Sequence, residues 1–178
     1  AQPTAYAPDR LLVKHAFAAR YPSVLFAWSY KTNYLGAVCN IFHQEGSWAE
    51  VVSEFEYDKA RSLGVPGNHI LFNGPGKKAQ TLRRAIAEGA RIHIDHLDEL
   101  YALEKISEEL GTAVEVTLRL NFDNGYTEPW SRFGFNVESG QAMDAAWRIA
   151  ASEHLILVCL HSHIVTFILE PKAYTQQV

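Results

Sequence analysis

The sequence predicts an α/β fold in which parallel strands alternate with helices to form part of a barrel. Short runs of apolar and β-branched residues recur roughly every 22 residues, the length of one strand, one helix and two short loops. The first five runs begin near Val24, Trp48, His69, Arg91 and Ala113, and a sixth begins at Leu155. Strands that alternate with helices at this interval form a parallel sheet with right-handed crossovers.

The segments between these runs have helical patterns. Residues 79–89 place apolar side chains on one face, and residues 95–111 begin with an acidic stretch in which Asp95 is the predicted N-cap. A glycine, the residue that best adopts the left-handed conformation of a helix C-cap, follows three of the predicted helices. These glycines are Gly64, Gly89 and Gly111. The repeated glycine supports a repeated strand–helix unit.

Two parallel architectures fit the alternation, a doubly wound open sheet and a (β/α) barrel. No G-x-G-x-x-G motif follows the first strand, and the regular interval favours the barrel, which needs eight strands where the sequence shows six. The sixth unit comes late, after a long aromatic insert at residues 121–139. Six strands would leave apolar edges at residues 24–30 and 155–160, so either another polypeptide covers these edges or the chain is part of a longer protein, and we favour the second.

Composition excludes several classes of protein. The 178 residues are 48% hydrophobic and 20% charged, enough for the core of one domain, and the net charge of −4 with no basic run argues against a nucleic-acid surface. The longest apolar stretch, at residues 155–160, is too short to span a bilayer, and residues 1–10 lack the pattern of a secretory signal. Cys39 and Cys159 lie in apolar runs, which predicts reduced core thiols and a cytoplasmic protein.

Residues that carry chemistry stand where the predicted strands end. Lys31 follows the first strand, where an amine that loses its proton can form a Schiff base; a solvated lysine is the alternative. His161 and His163 share one face of the sixth strand. They could be metal ligands, structural histidines, or rings that stack on a planar cofactor. No third ligand has a persuasive spacing, so we predict no metal site.

Charged residues near the other strand ends have two readings each. Glu50 and Glu56 flank the second strand end, where a carboxylate could tune a cofactor or orient a substrate amine. The alternative is that such groups are solvated or cap the following helix, as we expect for Glu54. Arg119 lies deep in an apolar strand and needs an anionic partner, either a carboxylate or a bound ligand. The glycine-rich segment at residues 72–78 is not a P-loop, and a turn into a helix is favoured over a phosphate site.

Six short segments stand in order along the chain. They are YKTN at 30–33, EVVSEFE at 50–56, NGPGK at 73–77, RLN at 119–121, SRFGF at 131–135 and HSHI at 161–164. Together they resemble the fold-type III pyridoxal-phosphate decarboxylases, which include the diaminopimelate and ornithine decarboxylases. The resemblance implies a TIM-type (β/α)8 barrel of the alanine racemase-like kind, here incomplete with about six βα units.

The resemblance also implies roles for individual residues. Lys31 would form the internal aldimine with pyridoxal phosphate, and His163 would stack on the pyridine ring. Further cofactor contacts would come from Thr166, Arg119, Glu50 and Ser53, and substrate contacts from Glu56 and Arg132. The implied reaction is decarboxylation of diaminopimelate or a related diamino acid. The implied protein is a cytoplasmic homodimer, and its β-rich C-terminal domain is missing here, so this part should be inactive alone.

Four positions depart from the family pattern. Glu50 replaces an aspartate, Glu54 and Phe55 replace a glycine pair, and Val165 replaces a glycine. The departures at Glu54, Phe55 and Val165 leave open a second function, a non-catalytic homologue that regulates an active decarboxylase. An amino-acid racemase on a similar barrel is a third, which the SRFGF and HSHI segments disfavour.

Overall fold

Seven strands and seven α-helices alternate in this computed structural model, which describes residues 7–126, 132–164 and 168–175. The strands are β1 (Ala27–Ser29), β2 (Trp48–Val51), β3 (Ile70–Phe72), β4 (Arg91–Ile94), β5 (Val114–Asn121), β6 (Phe135–Asn136) and β7 (Leu155–Ser162). The helices are α1 (Ala7–Ala18), α2 (Gly36–Gln44), α3 (Glu54–Ser62), α4 (Ala79–Ala87), α5 (Leu97–Leu110), α6 (Gln141–Ala151) and α7 (Pro171–Thr175). All six predicted strands are present, and β6 is an additional short strand inside the predicted insert.

The strands form one parallel sheet in chain order, β1-β2-β3-β4-β5-β7. The short β6 pairs with the end of β5, where Leu120 aligns with both Phe135 and Ser162, so β6 and β7 lie on opposite edges of β5. A doubly wound sheet would place later strands on the far side of the first strand. The sequential order therefore confirms the predicted arc of a (β/α) barrel.

The apolar core lies between the outer face of the sheet and the helices. Alternate residues of each strand point outward, and Val51, Ile92 and Leu118 are at most 1% exposed there. The helices contribute Tyr57, Leu82, Leu100, Leu103 and Ile149, also at most 1% exposed. This core fixes the strand ends that carry the polar residues of the opposite, inner face.

The glycines behave as predicted at the helix ends, but the predicted N-cap of α5 is wrong. Gly64, Gly89 and Gly111 have φ of +84°, +76° and +60°, the left-handed region that ends a helix. The N-cap of α5 is His96 rather than Asp95, since the His96 ring accepts a hydrogen bond from the Glu99 amide. Asp95 instead turns to the inner face, where it has a charged partner.

The far edge of β7 is open among the described residues, as the sequence predicts. Ile156, Val158 and Leu160 are 49%, 43% and 60% exposed. Cys39 is buried, but the prediction that Cys159 is a core residue is wrong, because it lies on this open strand and is exposed. Within the described part of the chain, no helix has the length and apolar character needed to cross a bilayer.

Candidate functional site

The inner face of the sheet collects the polar residues of the strands. In parallel strands, residues in register share a face, and Ser29 aligns with Glu50 and Arg119 with His161. His93 reaches this face through its alignment with Thr117, two residues before Arg119. Sequence analysis missed His93, although the alternation of the RIHI segment, with two buried isoleucines on the other face, was a signal for it.

Four buried atoms on this face lack a hydrogen-bond partner among the described residues. They are Ser29 Oγ, Glu50 Oε1, His93 Nδ1 and His161 Nδ1. Buried polar atoms are nearly always hydrogen-bonded to protein, water or ligand, because an unmade bond is costly. The inner face therefore offers hydrogen-bond donors and acceptors that suit a polar ligand such as pyridoxal phosphate.

Lys31 lies where the parallel strands end, at the edge of the inner face that we call the mouth. It follows β1 in a turn closed by a hydrogen bond from the Thr32 amide to the Ser29 carbonyl, 3.2 Å long, and its side chain is exposed. The pKa of His163 is lowered, mainly because the ring is partly buried and secondly because of the positive charge of Lys31. The same charge contributes to the lowered pKa of His161. The fold thus brings Lys31 and the two histidines of the HSHI segment to one site.

His93 and His161 form a neutral pair below the mouth. Their ring centroids are 4.9 Å apart and the rings are inclined at 62°. Burial, then the charge of Lys77, lowers the pKa of His93 to about 4. The pKa of His161 is lowered to about 3, mainly by burial and secondly by the neighbouring His93. Both rings are therefore uncharged at neutral pH and can each donate and accept one hydrogen bond.

Arg119 has the anionic partner that its position requires. Its Nη1 lies 2.7 Å from Asp95 Oδ1, and both side chains are at most 10% exposed. The guanidinium also lies 4.8 Å from the centre of the Phe133 ring. The partner is a protein carboxylate, and sequence analysis missed Asp95 because the residue was assigned to the helix cap. The buried guanidinium and carboxylate therefore neutralise each other beside the mouth.

Lys77 of the NGPGK segment is buried and binds protein rather than a phosphate. Its Nζ donates to the carbonyls of Gly74 and His93, at 2.6 and 2.9 Å, and to Glu99 Oε1 at 2.7 Å. The Lys77 and Glu99 side chains are 0% and 2% exposed, and burial lowers the pKa of Lys77. Glu99 Oε2 accepts from the Asp95 amide at 2.8 Å, so this ion pair links the ends of β3 and β4 to α5.

Ser53 and Glu56 cap α3. The Ser53 hydroxyl accepts a hydrogen bond from the Glu56 amide at 3.2 Å, and Glu56 Oε2 accepts from the Val52 amide at 2.8 Å. Burial raises the pKa of Glu56. The N-cap of α3 is therefore Ser53, and the prediction that Glu54 caps this helix is wrong. The Glu54 carboxylate instead pairs with Lys78 at 3.1 Å near solvent.

Of the remaining predicted residues, Arg132 lies away from the inner face and the others fall outside the described residues. Arg132 is exposed and lines a cavity of about 590 Å³ between α5 and α6, and Lys31 and the HSHI histidines are not among the lining residues. Thr166, Val165 and Ser131 lie outside the described residues. Within the ranges that the structure describes, no group of three His, Cys, Asp or Glu side chains could hold a metal ion.

Comparison with known proteins identifies the family. The sequence model described as "Pyridoxal-dependent decarboxylase, pyridoxal binding domain" matches residues 12–178. The chain belongs to this family. The match confirms the resemblance seen in the six segments, and the family description implies a pyridoxal cofactor.

Individual relatives in this family are diaminopimelate decarboxylases. The chain is 32% identical over 149 residues to that of Methanocaldococcus jannaschii, covering 79% of this chain and 34% of the relative. It is 28% identical over 170 residues to that of Bacillus subtilis, covering 90% and 39%. A crystal structure of the M. jannaschii enzyme superposes with a TM-score of 0.86 at 25% identity, covering 95% of this chain and 42% of that one. The chain thus spans well under half the length of these relatives.

Proposed function

We propose that the chain is the cofactor-binding barrel of a decarboxylase that acts on diaminopimelate or a related diamino acid. The main support is the geometry of the inner face: Lys31 follows the end of β1 and His163 follows the end of β7, so both stand where the parallel strands end, with His161 one step deeper on β7. Membership in a pyridoxal-dependent family and the names of the relatives support the reaction and the substrate class.

The residues of the inner face suit this chemistry. When bound, pyridoxal phosphate supplies an aldehyde that condenses with an amine and a ring that withdraws the electron pair of a breaking bond. Lys31 would hold the cofactor through its amine, and the partly exposed His163 would contact the cofactor ring. Glu50 keeps one carboxylate oxygen free to accept a hydrogen bond, which suits an ammonium or a protonated ring nitrogen.

The Arg119–Asp95 pair would supply a hydrogen-bond donor to the site. Because each charge is already balanced by the other at 2.7 Å, Arg119 can point a remaining N–H group at an acceptor without leaving a buried carboxylate unpaired. The neutral His93–His161 pair would form the floor of the site and offer its two free Nδ1 atoms to bound water or cofactor. Thr166, Ser53, Glu56 and Arg132 remain predicted contacts.

The complete protein would supply the rest of the site. The open edge of β7 and the coverage of 34% and 39% of two relatives support further strands and a β-rich C-terminal domain. We further propose a cytoplasmic homodimer, and we expect the present part to be inactive alone.

The test is to trap the cofactor on the complete protein. Borohydride reduction after incubation with pyridoxal phosphate should attach the cofactor to Lys31, located by peptide mass spectrometry. Lys31→Ala should lose both the adduct and CO₂ release from a panel of diamino acids. Lys78→Ala is the matched control, because Lys78 is exposed and pairs with Glu54 instead. A Lys31→Ala variant that still releases CO₂ at the wild-type rate would refute the mechanism.

A non-catalytic homologue is the second candidate, and one observation favours it. Tyr34 and Phe55, the latter replacing a family glycine, form an edge-to-face pair with ring centroids 5.6 Å apart, yet they are 51% and 61% exposed. Exposed aromatic pairs are typical of protein interfaces. A complete protein that takes up no pyridoxal phosphate but co-purifies with an active decarboxylase would support this function.

A further inference from the structure

A chain of hydrogen bonds lies behind the turn that carries Lys31. Tyr30 is 0% exposed, and its hydroxyl lies 2.8 Å from Nε2 of His43 in the last turn of α2. His43 Nδ1 lies 2.8 Å from the carbonyl oxygen of Ser47. Because a carbonyl can only accept, Nδ1 carries the proton, and in the neutral ring Nε2 then accepts from the Tyr30 hydroxyl. Burial raises the pKa of Tyr30, so the phenol remains a donor.

This chain of bonds joins the turn to the body of the fold. The Tyr30 amide donates to the Glu50 carbonyl of β2 at 3.0 Å, while the Tyr30 side chain reaches α2. Tyr30 is therefore held by its backbone on one side and by its hydroxyl on the other. Lys31 is the next residue, so a rotation at Tyr30 would change the direction of the lysine side chain.

The other end of the turn is anchored as well. The carbonyl of Asn33 accepts from Trp28 Nε1 at 2.8 Å, and its side-chain oxygen accepts from the Leu35 amide at 3.0 Å. Lys31 and Thr32 are exposed between these two anchors. Only three residues of β1 pair with β2, so this short ladder alone restrains the turn weakly.

We propose that Tyr30, through its hydrogen bond to His43, is a positioning residue that aims the Lys31 amine into the site. The inference rests on the proposed function of Lys31, and it adds a residue that touches neither cofactor nor substrate. Tyr30 faces the helices and Lys31 faces the mouth, so the tyrosine acts only through the backbone of the turn. Removing its hydroxyl should loosen the turn without changing any group of the inner face.

The experiment compares Tyr30→Phe with Tyr57→Phe in the complete protein. Tyr57 is also 0% exposed and donates one hydrogen bond, to Glu88 at 2.7 Å, but it lies on α3. Hydrogen exchange of a peptide covering residues 29–35, without cofactor, reports the turn directly. In Tyr30→Phe we expect exchange there to be about tenfold faster, and the apparent Kd for pyridoxal phosphate to rise about tenfold. In Tyr57→Phe both should stay within about twofold of wild type, although its stability falls similarly.

A second variant tests the route through His43. His43→Leu should reproduce the exchange change of Tyr30→Phe, and the double variant should add little, because all three lose the same bond. Additive effects, unchanged exchange in Tyr30→Phe, or an equal change in Tyr57→Phe would overturn the inference. If borohydride traps no cofactor on Lys31 of the wild type, the proposed function fails instead, while the exchange data still decide whether Tyr30 positions the turn.

Discussion

The buried Lys77–Glu99 ion pair gives the sharpest prediction for stability. Both side chains are at most 2% exposed, and Lys77 makes three hydrogen bonds. In Lys77→Met, the Glu99 carboxylate and the carbonyls of Gly74 and His93 all lose this donor. Removing one partner of a buried ion pair typically costs about 3–5 kcal/mol, because the other charge stays buried and unpaired. We expect a loss of that size in the free energy of unfolding, measured by urea titration of the complete protein.

The neighbouring lysine is a matched control for this prediction. Lys78→Met removes the same charge, but the Lys78 side chain is 78% exposed and pairs with a 43% exposed Glu54, so the loss of stability should be much smaller than for Lys77→Met. The double variant Lys77→Met/Glu99→Gln should recover part of the loss, because glutamine is uncharged and can still accept from the Asp95 amide. If Lys77→Met and Lys78→Met destabilise equally, Lys77 does not act as a buried structural cation.

Two further predictions concern pH and backbone geometry. Burial lowers the pKa of His93 to about 4 and that of His161 to about 3, below the usual histidine value of about 6.5. Between pH 6.5 and 4 the unfolded chain therefore binds more protons, and stability should fall as the pH is lowered, by up to about 1.4 kcal/mol per pH unit for each histidine. His93→Gln should flatten this slope in urea titrations at several pH values; an unchanged slope would contradict the burial of a neutral ring. Gly74 has φ of +99°, and an added Cβ would lie 2.2 Å from the Val52 carbonyl oxygen, whereas a Cβ at Gly76 would meet nothing within 4 Å. Gly74→Ala should therefore lower the thermal midpoint sharply and Gly76→Ala hardly at all, and equal midpoints would refute this account of the loop.

Much of the site could be predicted because its residues stand at strand ends, which are visible as changes of pattern. Lys31 and His163 were predicted from that position and from the resemblance, and Arg119 from the cost of a charge in an apolar strand. The cap of α5 was predicted wrongly, because Asp95 and His96 are both possible caps and the choice depends on which one meets a buried arginine. Cys159 was misplaced for a similar reason, since an apolar run does not reveal whether another element covers it.

The chain's own pattern determined the repeat of strand and helix, the sequential parallel sheet and the set of residues at its mouth. These are local properties: they follow from the period of apolar residues and from glycines that permit a positive φ. Only the tertiary structure decided that Lys77 turns inward to Glu99, that Asp95 balances Arg119 and that His93 and His161 meet as neutral rings. Such pairings join residues 22 to 68 positions apart in the sequence, and they depend on strand register and burial, which a local pattern does not specify.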